Sequence, residues 1–183
     1  ISDSILIITS RNFSNFKIAP DASFISLQPA LTGAQVNGLL ARYSKKIGPD
    51  PASINAAMIG GIAANNASGM CCGISQNSYK TLKSMKLIFA DGAKLDTGCQ
   101  ESKDAFRKTH GDFLKELKNF SNDTKNNEEL RAKIERKFKI KNTCGYSLNA
   151  LIDFEDEFEI LEHLIIGSEG TLAFIEEITY YTV

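Results

Sequence analysis

The run from Gly48 to Gly69, GPDPASINAAMIGGIAANNASG, constrains this chain more than any other segment. Pro49 and Pro51 stiffen its approach, and Gly60, Gly61 and Gly69 remove side chains where a ligand would touch main chain. Ala63, Ala64 and Ala67 keep the surface low, while Asn65, Asn66 and Ser68 offer short polar groups for a polyphosphate or a heterocycle edge. By composition this is a ligand-facing surface. A Gly-Gly pair alone also fits a tightly packed turn and helix, so the reading needs a second feature.

That feature is Ile165-Ile166-Gly167-Ser168-Glu169-Gly170-Thr171-Leu172-Ala173-Phe174-Ile175, where two glycines around Ser-Glu allow a tight turn that meets a ligand with main-chain groups. Glu169 reads as a turn-fixing carboxylate rather than a general base. A third run is Lys141-Asn142-Thr143-Cys144-Gly145-Tyr146-Ser147-Leu148.

In this order the three runs resemble the FAD-binding domain (PCMH type) of the vanillyl-alcohol oxidase and D-lactate dehydrogenase superfamily, with the third run similar to its D-lactate and glycolate dehydrogenase branch. The resemblance implies an α+β fold, a mainly antiparallel sheet flanked by helices, similar to the second subdomain of that FAD-binding unit. It implies a FAD-linked oxidoreductase moving a hydride from a D-2-hydroxy acid, D-lactate foremost, to a non-covalently held flavin, with electrons passing to a quinone or similar acceptor. Flavin contacts are expected at Pro51, Ser53, Ile59, Gly60, Gly61, Ala64, Asn66, Ser68 and Gly69, with Gly167, Glu169, Gly170 and Thr171 closing the other side. No catalytic acid or base is identified. Glycolate, 2-hydroxyglutarate or an alkyl-glycerone phosphate remain alternative substrates, and a non-redox nucleotide- or partner-binding module is the alternative of another class.

Complete relatives also carry an Arg-Gly-x-Gly-Thr-Ser loop for the pyrophosphate and a substrate domain. Neither is in this sequence, which opens at Ile1. The expectation is a single domain over 1–183 that is part of a FAD-binding unit, has a helical insertion at about 101–140, holds FAD weakly or not at all, and does not turn over.

A chain of 183 residues suffices for one core. With 21 basic and 22 acidic residues it has no electrostatic signature for nucleic acid. No apolar run approaches the ~20 residues of a spanning helix. The reading is a cytoplasmic protein whose parent is compatible with peripheral attachment to the inner face of the plasma membrane. Cys71, Cys72, Cys99 and Cys144 form no C-x-x-C pair, and with only His110 and His163 no metal spacing appears.

Along the chain, Ile5 to Thr9, Asn15 to Ile18 and Phe24 to Gln28 read as strands of a meander. Thr32 reads as the cap of a helix over Gly33 to Tyr43, and about Asn55 to Asn65 as a small helix whose early amides would favour a phosphate or flavin carbonyl. Asp91-Gly92 predicts a two-residue hairpin turn between Met85–Ala90 and Ala93–Asp96. Between Ser102 and Lys139 the apolar spacing predicts two amphipathic helices, with Ser121 to Asn127 an exposed connector and His110 on the apolar stripe. Asp156 to Leu164 reads as a helix, followed by strand-forming Leu172 to Ile175 and Glu177 to Val183. Tyr79 reads as bridging core and surface.

Overall fold

A computed structural model describes residues 7–142 and 145–183. The frame is a five-stranded antiparallel sheet of order β1-β2-β5-β3-β4, with β1 Phe16–Ile18, β2 Phe24–Leu27, β3 Leu82–Ile88, β4 Lys94–Asp96 and β5 Phe174–Tyr181. Helices α1 (Gly33–Leu40), α2 (Ile59–Ala64), α3 (Ser78–Thr81), α4 (Gln100–Asn126), α5 (Glu128–Phe138), α6 (Ala150–Asp153) and α7 (Glu157–Ile165) complete it. This is the expected α+β architecture.

Register explains why one face of the sheet becomes core. Leu27 lies opposite Ile178, which lies opposite Met85, so three strands lay one apolar row. Ile25 and Leu82 flank Tyr180 in the same way. Because side chains alternate, Ile175 and Ile178 would normally face opposite ways; the irregularity between Lys86 and Leu87 skips Glu176 and turns both inward. A second irregularity, between Leu82 and Ser84, does the same for Leu82 and Met85. The polar face carries the Ser26–Thr179 hydroxyl pair at 2.8 Å and the Lys86–Glu177 ion pair at 2.9 Å.

Thr32 caps α1 as its sequence suggests. Its hydroxyl accepts the Gln35 amide at 3.3 Å, and the Gln35 side chain accepts the Thr32 amide at 2.8 Å. Thr32→Ala removes one half of this reciprocal pair and is expected to lower stability by about 1 kcal/mol, read as a shift of the denaturant midpoint at unchanged slope.

Four local expectations are corrected. No strand forms at Ile7 and Ile8, which are exposed and lead into a 3-10 turn at Thr9–Arg11; Ile5 and Leu6 lie outside the described residues. The inner neighbour of β2 is β5, so the edge is not a meander. Between β3 and β4, Phe89 N donates to Ala93 O at 2.9 Å and closes a loop of three residues, Ala90 to Gly92, with Gly92 N donating to Phe89 O and adopting φ +85. Finally, α4, kinked at His110, continues through the polar stretch to Asn126, because Ser121 donates to the Leu151 carbonyl at 2.6 Å and Thr124 to Phe120 O at 2.8 Å. Both side chains are thereby buried against α6 or their own helix instead of solvated.

Candidate functional site

The two distant glycine-bearing segments are joined by main-chain hydrogen bonds. Gly167 N donates to Ala63 O at 3.2 Å and Glu169 N to Ala64 O at 2.9 Å, so the turn after α7 caps the last carbonyls of α2. Asn65 Nδ2 reinforces the join by donating to Glu169 Oε1. The turn reaches this position through positive φ at Gly167, Glu169 and Gly170. Glu169 thus fixes the turn, as its sequence context suggests.

Beside this join opens a cleft of about 290 Å³. Gly60, Gly61 and Ala64 form one wall, Ser168 and Gly170 another, and Pro29, Met58, Ala173, Phe174 and Ile175 give it an apolar lining. Thr9 stands at its rim, and Phe13 braces Phe174 edge-on at 5.5 Å. No lining residue is charged. The cleft therefore suits an uncharged ring system better than a pyrophosphate.

Two of the early α2 amides expected to favour a phosphate or a flavin carbonyl are already occupied. Ile59 N is spent on Leu31 O at 2.8 Å and Gly60 N on Pro29 O at 3.0 Å, because the chain before α1 pairs with the start of α2. The helix is also shorter than expected, since residues 51–57 form successive turns through Pro51 O and Ser53 O.

Of the residues expected at the site, Gly60, Gly61, Ala64 and Gly170 line the cleft. Pro51 and Ile59 are buried, and Ser53 lies exposed on the preceding turn. Asn66, with φ +48, is buried and accepts the Tyr79 amide at 3.4 Å. Ser68 is buried, with its carbonyl bound by Lys141 Nζ. Gly69 is required by chain crossing, since a Cβ there would collide with the Asp50 carbonyl. Gly167 is buried in the join, and Thr171 is exposed, with its hydroxyl on Ser168 O at 2.6 Å and 2.9 Å from the Tyr146 hydroxyl. Within the third run, Thr143 and Cys144 lie outside the described residues.

Ser168 is the residue most informative about a ligand. It is one of the residues lining the cleft, and its Oγ is buried without a hydrogen-bond partner. Gly61 adds the complementary sign: a Cβ built there meets nothing within 4 Å. An orphan hydroxyl, an open glycine and an apolar back wall fit the edge and face of a flavin ring. Sequence reasoning omitted Thr9, Pro29, Met58, Ser168, Ala173, Phe174 and Ile175 from the site; Met58 and Ser168 lie within the two glycine-bearing runs and the last three directly after the second glycine turn, whereas Thr9 and Pro29 carried no signal.

Residues 1–98 match the family model described as FAD binding domain. The chain belongs to this FAD-binding domain family. FAD is therefore its cofactor class. No curated protein matches the chain. Two solved structures of alkyldihydroxyacetonephosphate synthase, in crystal forms P1 and P212121, share this fold. The first has a TM-score of 0.53 at 16% identity, covering 95% of this chain and 22% of the other. The second has a TM-score of 0.52 at 16% identity, covering 94% and 20%. The FAD-binding chain thus spans about a fifth of the length of these neighbours. Among the described residues no helix is long and apolar enough to cross a membrane, and no cluster of His, Cys, Asp or Glu is arranged for a metal.

Proposed function

We propose that this chain supplies one wall of the flavin site in a FAD-dependent oxidoreductase acting on a D-2-hydroxy acid, D-lactate foremost. The observation that carries the reading is the uncharged cleft between two hydrogen-bonded glycine segments, with an unpartnered Ser168 hydroxyl buried in its wall. FAD, when bound, supplies the redox chemistry, taking a hydride from the carbon that bears the hydroxyl and passing electrons to a quinone or similar acceptor. Gly61 and Gly170 would let the ring approach main chain, the unpartnered Ser168 hydroxyl would offer it a hydrogen bond, and Pro29, Met58 and Phe174 would keep water from it. No titratable side chain lines this wall, so the substrate hydroxyl proton leaves to a group outside it.

The fold shared with alkyldihydroxyacetonephosphate synthase favours a second reading, chemistry on an alkyl-glycerone phosphate. Turnover of the whole protein on D-lactate, glycolate, 2-hydroxyglutarate and an alkyl-glycerone phosphate separates the readings. We further read residues from about 101 to 140 as a helical insertion, supported by the family match ending at residue 98, just before α4. Of the flavin contacts anticipated from sequence, we retain Gly60, Gly61, Ala64 and Gly170 and add Ser168. A cytoplasmic setting and non-covalent cofactor binding complete the proposal.

Titration of FAD into the whole protein, monitored by flavin fluorescence, tests the site. Ser168→Ala is expected to weaken binding by about tenfold, the equivalent of one hydrogen bond. Wild-type affinity in a folded Ser168→Ala whole protein removes Ser168 from the site, and a whole protein that binds no flavin overturns the assignment.

A further inference from the structure

Behind the cleft, both walls are tied to one buried imidazole. Asn66, in the turn that ends the first wall, accepts the Tyr79 amide, and the Tyr79 hydroxyl donates to Asp153 Oδ2 at 2.8 Å. His163 fills the space between these groups. Its ring stacks on Phe154 with centroids 4.0 Å apart and meets Tyr79 edge-on at 4.7 Å. The same residue belongs to α7, whose end runs directly into the Gly167 turn of the second wall. One side chain therefore links the Tyr79 segment, bonded to the end of the first wall, with the helix that leads into the second.

Its hydrogen bonding is poised between two protonation states. Nδ1 lies 2.7 Å from the Glu159 carbonyl, and the Tyr79 main-chain carbonyl also favours the protonated ring. A neutral imidazole has one N–H and serves one such acceptor, whereas an imidazolium serves two. Burial opposes the charge and, as the largest influence, holds the His163 pKa below the ordinary histidine range. Its charged surroundings are mixed. Lys80 on α3 disfavours protonation and Asp153 on α6 favours it, while on α7 itself Glu162 Oε1 lies 3.9 Å from Nδ1.

We propose that His163 is a proton-operated clasp on the cofactor cleft. Neutral, it packs α3 and α6 against α7 and keeps the two walls in register. Protonated, the imidazolium leaves its apolar sandwich, α7 loosens and the glycine turn shifts away from α2. The clasp regulates the cleft assigned to the flavin and rests on that reading only for the identity of the ligand.

The decisive measurement is an NMR titration of the apo chain from about pH 7.5 to about pH 5, the range in which a histidine changes charge. The amides of Asn66 and Tyr79 on one side, and of Gly167 and Ser168 on the other, are expected to move with the midpoint of the His163 ring. FAD affinity is expected to fall by about tenfold per pH unit below that midpoint. His163→Phe keeps the ring packing without the proton and is expected to flatten both profiles, whereas Glu162→Gln retains them. Wall amides that move with different midpoints overturn the clasp, as does an undiminished loss of affinity in a folded His163→Phe chain. A whole protein that binds no FAD at any pH refutes the cofactor site, while the apo titration of the chain still decides the clasp.

Discussion

Gly61→Val is expected to remove FAD binding while leaving the apo protein folded. The Gly61 backbone is helical with no positive φ, and a Cβ there finds no atom within 4 Å. Valine is tolerated by the backbone and by the core, and its helix propensity slightly exceeds that of glycine. Its isopropyl group projects into the cleft, in the volume a planar ring needs. A loss of at least about 100-fold, or about 2.7 kcal/mol, results if the ring must move outward to bind. Its neighbour supplies the contrast. At Gly60 a Cβ would lie 2.7 Å from Pro29 Cβ, so substitution there disturbs the packing of α2 and cannot separate cofactor loss from misfolding. Flavin titration together with a melting curve checks the Gly61 variant, and wild-type affinity in a folded chain would remove Gly61 from the site.

Glu162→Gln is expected to stabilise the protein at alkaline pH by roughly 3 kcal/mol. Glu162 is buried on α7, its Oε2 lacks any hydrogen-bond partner, and burial raises its pKa from 4.5 to about 7 against the smaller pull of Thr97 and Lys103. Below the unfolded value the carboxyl is protonated in both states and no penalty exists. Between pH 4.5 and about 7 the folded protein keeps a proton that the unfolded chain has released, so stability declines as pH rises, by about 1.4 kcal/mol per unit. Above that window the whole penalty is present, and glutamine does not incur it. Denaturant unfolding at about pH 8 and about pH 4 should show the variant's gain only at the higher value. Equal differences at both would mean that packing, not ionisation, governs the site. His163, next in sequence, works the other way: its lowered pKa costs stability as pH falls below the ordinary histidine value of 6.5. Over mildly acidic pH these buried neighbours therefore oppose each other, and the stability profile of the wild-type chain is flatter there than either group alone would make it.

The large divisions of the fold were legible where one physical signal acted alone. Thr32 with Gln35 three residues on, Asp156 before an apolar stripe, and alternation at Phe24–Leu27 each specify local structure without help from distant residues. The failures occurred where a distant partner decided. Ser121 looks like a loop former until the distant Leu151 carbonyl accepts its hydroxyl. The amides of Ile59 and Gly60 look available until Leu31 and Pro29 arrive. At the site, the glycines were visible but their separate tasks were not: Gly69 yields to the Asp50 carbonyl, Gly60 to Pro29, and Gly61 alone of the three faces open space. The pairing of the two glycine segments was legible because both carry the same need for close main-chain approach, which the Gly167 and Glu169 amides satisfy on α2.

The position of β5 has a consequence for how the molecule is made. This strand holds β2 on one edge and β3 on the other, yet it is the last of the five to leave the ribosome. Until it emerges, β1–β2 and β3–β4 are two separate hairpins, each with an unsatisfied edge and an apolar face that nothing covers. Most of the sheet's long-range contacts then form together, in a late step after translation has passed Phe174, and the nascent chain depends on protection from aggregation up to that moment.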